Sequence, residues 1–281
     1  MPELPEVETV KRGLTPYMKG VRIVQTIQNR PNLRIPFPEN LAQKTQGLII
    51  SDMGRRGKYM LIHLEDAHTL IVHLGMSGSF KIVTHNEAYV PNKHDHLIFE
   101  MESKAKIIFN DPRRFGMVYH HPVAELEDHK AFSNMGPEPF DLEFNDAYLY
   151  SALKQKTSPI KTALLDQAIV AGLGNIYVCE ALFMVGINPK RKSNKISKAK
   201  CAELVTAIRD VLSKAIVAGG SSLRDHRQAS GELGYFQHQF SVYGKEGDKC
   251  PTCDCDYPKT HGIRRITQSG RSSFYCPQKQ K

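Results

Sequence analysis

The spacing of apolar and polar positions changes after residue 140 of this 281-residue chain. Between about residues 21 and 120, short runs rich in β-branched and aromatic residues alternate with turn-forming residues. The runs are GVRIVQTI, KYMLIHL, HTLIVHLGMSGSFKIV, HDHLIFEM and KIIFND. Many short strands at such spacing are typical of a β-sandwich or barrel. Pro2 and Pro5 are tolerated only in the first turn of a helix, so residues 1–12 predict a short helix start before the strands.

Helical periodicity follows the Pro- and Gly-rich segment NMGPEPF at 134–140, which is predicted to link two domains. The segment SPIKTALLDQ predicts a helix with Ser158 as its cap and Pro159 in its first turn. A second helix is predicted from Asn175 to Gly186. Apolar residues at three- and four-residue steps predict an amphipathic helix over 197–218.

The end of the chain predicts a small hairpin. A polar loop over 219–236 precedes it, and GIRRITQSGRSSFYC turns at Ser269-Gly270. We therefore predict a multidomain α+β fold. Its parts are an N-terminal β-sandwich domain with a short N-terminal helix at 1–133, a helical domain at 134–236 and a C-terminal β-hairpin at 237–281.

The charge balance suggests a partner. The chain has 38 Lys and Arg against 29 Asp and Glu, a formal net charge of +9. A basic protein of this kind favours a polyanionic partner such as nucleic acid. No stretch approaches 18 consecutive apolar residues, so we expect no membrane-spanning segment.

Cysteines are concentrated near the end of the chain. Four of the six lie at or after residue 250, namely Cys250, Cys253, Cys255 and Cys276. Because no secretory signal is recognisable, this cluster predicts metal ligands rather than disulfides, and it favours a cytoplasmic location.

The first residues carry candidate chemistry. Removal of Met1 would leave Pro2 with a free secondary amine, of which about a tenth is neutral at pH 7, far more than of a lysine. Such an amine is a nucleophile without special burial. Attack on a sugar C1′ would give an iminium that stays cationic and acts as an electron sink, with Glu3 beside it to donate a proton. A capped helix start is the alternative interpretation of the same residues.

Three turns carry further candidates. GRRGKYM places Lys58 in a basic turn that leads into a strand, HLGMSG places Met76 at a turn, and NDPRRFG places Arg113 and Phe115 at another. An apolar side chain next to Arg on a turn suits insertion into a base stack, as an enzyme that extrudes a nucleotide requires. In AGLGNIY, backbone amides between two helices suit a phosphate. Ordinary packing and surface turns remain the alternatives for each motif alone.

Together the motifs resemble the formamidopyrimidine-DNA glycosylase family. PELPEVET, GRRGKY, HLGMSG, KHDH, NDPRRFG, GPEP, GLGNIYV and SGRSSFYC occur in the family's order over nearly the whole chain. The resemblance implies a β-sandwich, a helix–two-turn–helix domain and a zinc-bearing hairpin, with DNA bound in the cleft between them by a monomer.

The resemblance also implies roles for individual residues. Pro2 would be the Schiff-base nucleophile and Glu3 the proton donor in base release, while Lys58 and Arg271 would donate protons in β- and δ-elimination. Glu6 would be a further active-site acid that contacts the substrate. The DNA-binding positions would be His94, Arg113, Lys156 and Asn175. Met76, Arg113 and Phe115 would fill the void left by the extruded base. Residues 221–236 would form a loop that covers that base.

The activity that follows from the resemblance is removal of oxidised purines, 8-oxoguanine and formamidopyrimidines, from damaged double-stranded DNA, followed by strand cutting through β,δ-elimination. One alternative is an endonuclease VIII-like glycosylase for oxidised pyrimidines, although that group typically starts PEGPE. The other alternative is a damage-binding protein that does not cut, although binding alone needs no terminal amine.

The cysteine hairpin departs from the family pattern. The family has two C-x2-C pairs about 16 residues apart, whereas 22 residues separate Cys253 from Cys276 here, and Lys279 occupies the fourth ligand position. A lysine would have to lose its proton to bind zinc. We expect one zinc ion per chain on Cys250, Cys253 and Cys276, with Cys255 or alternatively His261 as the fourth ligand. Replacement of Cys253 by Cys255 in the first pair is a further possibility.

Overall fold

The computed structural model describes residues 2–221, 234–254 and 257–281. Cys255 and residues 222–233 of the predicted covering loop lie outside the described residues. The chain divides into two compact units, one formed by Met1–Ser133 with Ile216–Gln237 and the other by Asn134–Ala215 with His238–Lys281. The predicted boundaries of three domains stay a prediction. None of the helices in the described ranges is long and apolar enough to cross a membrane.

The described part of the first unit contains eight strands: β1 (Ile23–Gln28), β2 (Ile50–Arg56), β3 (Tyr59–Leu64), β4 (His68–His73), β5 (Ser79–Val83), β6 (Asp95–Met101), β7 (Lys106–Asn110) and β8 (Met117–Pro122). They form two antiparallel four-stranded sheets in the orders β1-β6-β7-β5 and β2-β3-β4-β8. All five predicted runs form strands. Strands β2 and β8 were not predicted, and β2 contains Asp52 and Gly54, which are disfavoured in strands.

One apolar core joins both sheets to the N-terminal helix α1 (Leu4–Met18) and to the short helix α2 (Leu41–Thr45). Burying each large apolar side chain contributes roughly 1.5–3 kcal/mol, so this core holds the helix firmly on the sheets. The predicted β-sandwich with its N-terminal helix is confirmed. The fully buried members of the core include Val10, Leu14, Met18, Ile23, Ile50, Met60, Ile62, Leu70, Phe99, Ile107 and Phe109.

Helix α1 is longer than predicted. Pro5 lies in its first turn as expected, but the helix continues past residue 12 and includes Pro16. A proline removes one backbone hydrogen bond from a helix. The last turn persists because Leu14 and Met18 on either side of Pro16 are both completely buried in the core.

The described helices of the second unit confirm two predictions and correct one. Helices α5 (Asn175–Met184) and α6 (Lys198–Val217) agree with the sequence, whereas α3 (Asp146–Lys154), which is capped by the Asn145 side chain, was not predicted. The prediction that Ser158 caps a helix is wrong, because α4 covers only Ile160–Leu164 and Pro159 is its N-cap. The Ser158 carbonyl instead accepts hydrogen bonds from the N–H and hydroxyl of Ser193.

The C-terminal hairpin follows a segment of the chain that is anchored to α5. Strands β9 (Arg264–Gln268) and β10 (Arg271–Tyr275) follow the short helix α7 (Tyr257–Thr260) and pair across the predicted Ser269-Gly270 turn. Both turn residues have positive φ, 48° and 72°, as a two-residue hairpin turn requires. Upstream, the buried Glu180 carboxylate of α5 accepts the backbone N–H groups of residues 241–243 at 2.8–3.0 Å.

Candidate active site

The N-terminus of α1 holds Pro2 and Glu3 in a buried position. Pro2 is buried and Glu3 is only 3% exposed. Glu3 and Glu6 form a capping box, in which the Glu3 backbone N–H donates to Glu6 Oε2 at 2.8 Å. A carboxylate three residues after the N-cap binds a backbone N–H that the helix itself does not use. The carboxylate spacing in PELPE therefore fixes the backbone beside Pro2.

Glu6 also holds the residues that follow helix α6. Its second oxygen, Oε1, accepts the N–H of Ser221 at 2.8 Å and the Ser221 hydroxyl at 2.9 Å. Gly220, with φ +78°, approaches so closely that a Cβ there would lie 3.2 Å from this oxygen. Glu6 thus connects the Glu3 backbone to Ser221, where the predicted covering loop begins. Its contact with substrate stays a prediction.

Lys58 lies in the turn between β2 and β3, as predicted, and is 8% exposed. Arg55 connects this turn to α1: its Nη1 donates to the Gly57 carbonyl at 2.9 Å and its Nε to Glu8 Oε2 at 3.3 Å. Burial raises the pKa of Glu8, but the hydrogen bond from Arg12 and the other nearby cations outweigh burial and lower it. An ionised Glu8 therefore fixes the backbone next to Lys58 relative to α1.

Asp111 joins the two turns that carry Met76, Arg113 and Phe115. These three are the wedge residues, which are predicted to fill the void left by the extruded base. Its Oδ1 accepts the Ser77 hydroxyl at 2.6 Å, and its Oδ2 accepts the N–H of Gly116 at 2.8 Å. The Ser77 hydroxyl in turn accepts the N–H of Arg113 at 3.0 Å. The Asp111 N–H donates to the carbonyl of His94 at 3.0 Å. The carboxylate of Asp111 therefore joins the HLGMSG and NDPRRFG motifs, and its backbone N–H joins them to KHDH.

Met76, Arg113 and Phe115 are exposed on these joined turns. Met76 is 41% and Phe115 is 40% exposed, and the Arg113 guanidinium lies 5.0 Å from the centre of the Phe115 ring. Gly75 has φ +67°, and a Cβ there would lie 2.4 Å from the Phe115 carbonyl carbon. Only glycine permits this approach, which brings the Met76 turn against the Phe115 turn.

His73, at the end of β4, is a neutral hydrogen-bond acceptor. Burial, together with the nearby positive charges of Lys58 and Arg34, lowers the pKa of His73 to about 4. Its Nδ1 accepts the N–H of Gly75 at 3.0 Å. His73 therefore supports the turn before Met76 and lies within electrostatic range of Lys58.

The second unit contains the remaining predicted residues. Lys156 follows α3 and forms a half-exposed ion pair with Asp166 at 3.2 Å. Asn175 is the first residue of α5, and its Nδ2 donates to the Ser272 carbonyl at 3.0 Å. Arg271 is exposed at the start of β10. The structure thus brings Asn175 beside the residue that follows Arg271.

Three of the predicted metal ligands come together. The sulfur atoms of Cys250, Cys253 and Cys276 all lie within 4.8 Å of one another. Burial raises the pKa of Cys250, but hydrogen bonds from the Thr252 backbone and from the other two thiols lower it to about 7. Three clustered cysteine sulfurs are ligands of the kind that structural zinc sites use, so this group fits a metal ion.

Lys279 and His261 do not join the sulfur cluster. The Lys279 Nζ donates to Thr252 Oγ1 at 3.0 Å and lies 4.0 Å from the centre of the Phe183 ring, while its backbone N–H donates to Cys276 Sγ at 3.4 Å. His261 is exposed and is not among the clustered ligands. The alternative of His261 as fourth ligand therefore has no geometric support, and Cys255 lies outside the described residues.

Sequence reasoning missed the residues that support these sites, namely His73, Ser77 and Asp111. It also missed Lys161, a completely buried lysine of α4 whose Nζ donates to the Ser272 carbonyl at 2.9 Å. The Asp-Pro step after strand β7 is a turn signal that could have identified Asp111. Nothing in the sequence singles out Lys161, because a lysine on a short helix is normally exposed.

Comparisons with known proteins agree with this arrangement. The model of the formamidopyrimidine-DNA glycosylase N-terminal domain matches residues 1–118, and the model of the formamidopyrimidine-DNA glycosylase H2TH domain matches residues 135–227. The formamidopyrimidine-DNA glycosylase of Jannaschia sp. is 54% identical to this chain, and the match covers 99% of each of the two chains. That of Ruegeria pomeroyi is 52% identical, and the match covers 100% of each chain.

Solved structures give the same result. The MutM (Fpg) protein of Thermus thermophilus superposes with a TM-score of 0.86 at 34% identity, covering 99% of this chain and 98% of that one. The Lactococcus lactis Fpg in complex with DNA containing N7-benzyl-Fapy-dG superposes with a TM-score of 0.88 at 34% identity, covering 100% of both chains.

Proposed function

Because the chain belongs to the formamidopyrimidine-DNA glycosylase family, we propose that it removes oxidised purines from damaged double-stranded DNA and then cuts the strand. The substrates are 8-oxoguanine and formamidopyrimidines. Such an enzyme acts on chromosomal DNA, so its place in a bacterium is the cytoplasm. The observation that carries the proposal is the capping box that holds Pro2 and Glu3 in a buried position at the start of α1.

The first step is base release. With Met1 removed, the secondary amine of Pro2 attacks C1′ of the damaged nucleotide, and Glu3 supplies a proton in the transition state. The Glu6 hydrogen bond to the Glu3 N–H supports this role, because it fixes the backbone that carries both groups. The bond between C1′ and the base breaks and the base leaves. The C1′–O4′ bond of the sugar then opens as O4′ takes up a proton, and the product is an iminium that joins Pro2 to the opened sugar.

Strand cutting follows from the iminium, which acidifies the C2′ hydrogen. Lys58 assists β-elimination and Arg271 assists δ-elimination, so the product is a one-nucleotide gap with phosphate ends. The burial of Lys58 and its link to α1 through Arg55 support a fixed position for its amine. The exposure of Arg271 at the hairpin turn supports contact with DNA.

The joined turns fill the space that the extruded nucleotide leaves. Flipping a base out costs a few kcal/mol, and an inserted apolar side chain compensates for part of the lost stacking. Met76 and Phe115 are exposed apolar side chains, and Arg113 is held beside Phe115. Their shared anchor on Asp111 supports insertion as one rigid unit.

Phosphate contacts come from His94, Arg113, Lys156 and Asn175. Arg and Lys neutralise phosphates, and the N-terminus of a helix is an additional anion-binding feature. Asn175 begins the ten-residue helix α5, which supports its assignment to a phosphate.

We further propose that the sulfur cluster holds one zinc ion per chain. Cys250, Cys253 and Cys276 would be three ligands and Cys255 the fourth, because the Lys279 amine is directed to Thr252. The zinc would neutralise the thiolates and hold the end of the hairpin opposite the Arg271 turn. Elemental analysis of the purified protein should give one zinc per chain.

Borohydride trapping tests the proposed function. Two labelled duplexes are compared, one with 8-oxoguanine opposite cytosine and one with an oxidised pyrimidine. We expect a covalent protein–DNA adduct mainly on the purine duplex, because reduction converts the Pro2 iminium to a stable amine. The Pro2→Gly variant, which keeps a terminal amine but not the secondary one, should trap much less.

Each other outcome contradicts a defined part of the proposal. Adduct mainly on the pyrimidine duplex would assign the chain to the endonuclease VIII type of specificity. Tight DNA binding without any adduct would favour a damage-binding protein that does not cut. Undiminished strand cutting after acetylation of the terminal amine would exclude Pro2 as the nucleophile.

A further inference from the structure

Lys161 is a completely buried lysine that the proposed mechanism does not use. It lies on the short helix α4 and has 0% relative exposure. Its Nζ donates to the carbonyl of Ser272 at 2.9 Å and to the hydroxyl of Ser273 at 2.7 Å. Burying an amine costs several kcal/mol unless it is well hydrogen-bonded. The groups to which Lys161 donates therefore indicate which part of the structure it stabilises.

The acceptors of Lys161 lie on β10, directly after Arg271. The Ser272 carbonyl accepts a second hydrogen bond, from Asn175 Nδ2 at 3.0 Å. Two helices, α4 and α5, therefore hold the same carbonyl. The peptide unit that joins Ser272 to Ser273, one residue beyond Arg271, therefore has little freedom to shift.

A second set of contacts fixes the other side of the turn. The Ser273 hydroxyl, which accepts from Lys161, donates to Gln268 Oε1 at 2.7 Å. Gln268 pairs with Arg271 across the hairpin, and its Nε2 donates to the Pro189 carbonyl at 3.1 Å. Lys161 is thus connected to both residues that flank the Ser269-Gly270 turn, to Gln268 through the Ser273 hydroxyl and to Arg271 through the adjoining Ser272.

We propose that Lys161 is a positioning residue for Arg271 in strand cutting. This inference rests on the proposed function, in which Arg271 assists δ-elimination. Lys161 holds the turn that presents the Arg271 guanidinium, independently of the cysteine cluster at the other end of the hairpin. Proton transfer is sensitive to placement, and a shift of 1 Å can cost about 100-fold in rate. Loss of Lys161 should therefore slow δ-elimination more than the Pro2 steps that precede it.

The experiment measures β- and δ-elimination products separately under single-turnover conditions on the 8-oxoguanine duplex. The Lys161→Met variant keeps the length of the side chain and removes the donor. We expect its ratio of δ-rate to β-rate to fall by about tenfold, while the borohydride-trapped fraction stays close to that of the wild type. Lys214→Met is the matched control, because Lys214 is exposed on α6, and its ratio should not change.

A second variant covers the case in which Lys161→Met fails to fold. Ser273→Ala removes the hydroxyl that joins Lys161 to Gln268 and changes only one atom of the side chain. It should lower the same ratio, by less than Lys161→Met does. If Lys161→Met folds, an unchanged ratio of δ-rate to β-rate in that variant would overturn the positioning role. If Lys161→Met does not fold, an unchanged ratio in Ser273→Ala would overturn it. A wild type that traps no DNA would instead overturn the proposed function, so the two failures are distinguishable.

Discussion

At the scale of single residues, two buried carboxylates hold the candidate site together. Glu6 binds the N–H groups of Glu3 and Ser221, and Asp111 binds the Ser77 hydroxyl and the Gly116 N–H. Leaving such a buried donor without its acceptor costs about 1–3 kcal/mol. These carboxylates therefore stabilise the fold and fix the site in the same contacts.

His73 gives a prediction at this scale, which concerns pH. Its pKa is about 4 in the folded protein, against 6.5 for the ordinary side chain. Since the unfolded chain takes up the proton first, the stability that neutral His73 contributes is complete above pH 6.5 and is lost as the pH falls towards 4. Between pH 7 and pH 5, the wild type should lose about 2 kcal/mol more stability than His73→Gln.

Urea unfolding of both proteins at the two pH values measures this difference. The other histidines are common to both proteins and cancel. Equal pH dependence in the two proteins would show that His73 titrates normally.

At the scale of elements, the sequence predicts the strands and helices whose formation follows from their own pattern of apolar residues. The five runs with apolar alternation form strands, and α5 and α6 follow their apolar spacing. Strand β2 depends on its pairing with β3 rather than on its own residues. The Ser158 cap was wrong for a related reason, because tertiary contacts with Ser193 use the Ser158 carbonyl and α4 starts later.

The contact between the two wedge turns gives the prediction at this scale. Gly75 and Gly20 both have positive φ, but a Cβ at Gly75 meets the Phe115 backbone, whereas a Cβ at Gly20 meets nothing within 4 Å. Gly20→Ala should cost about 1 kcal/mol of unfolding free energy from its backbone conformation. Gly75→Ala should cost at least about 4 kcal/mol, because the turns must separate.

Urea unfolding of the two variants compares these costs directly, with Gly20→Ala as the control for backbone strain alone. Equal losses in both variants would mean that the turns are not in close contact.

At the scale of the whole molecule, the order of motifs along the chain was sufficient to predict the family and its fold. The supporting contacts could not be predicted, because Lys161 and Ser272 are 111 residues apart. The choice between Cys255 and His261 as the fourth metal ligand could not be made from the sequence either, because both follow Cys253 and only the structure shows that His261 lies outside the sulfur cluster.

The charge of the whole chain gives the prediction at this scale. With a net charge of +9 and several proposed phosphate contacts, DNA affinity should fall steeply with salt, with a log–log slope of about −0.9 per phosphate neutralised. Lys156→Ala should make the slope shallower by about 1, whereas Lys214→Ala should leave it unchanged. Fluorescence anisotropy on a labelled duplex measures the slope, and a flat plot for the wild type would contradict the proposed phosphate contacts.

The most direct test of the central claim is the position of the trapped adduct within the chain. After borohydride reduction on the 8-oxoguanine duplex, nuclease and tryptic digestion followed by mass spectrometry locates the sugar remnant. We predict that it lies on the peptide PELPEVETVK, which begins at Pro2 once Met1 has been removed. A remnant on the peptide that contains Lys58 would contradict the account, because the buried lysine, and not the terminal proline, would then be the nucleophile.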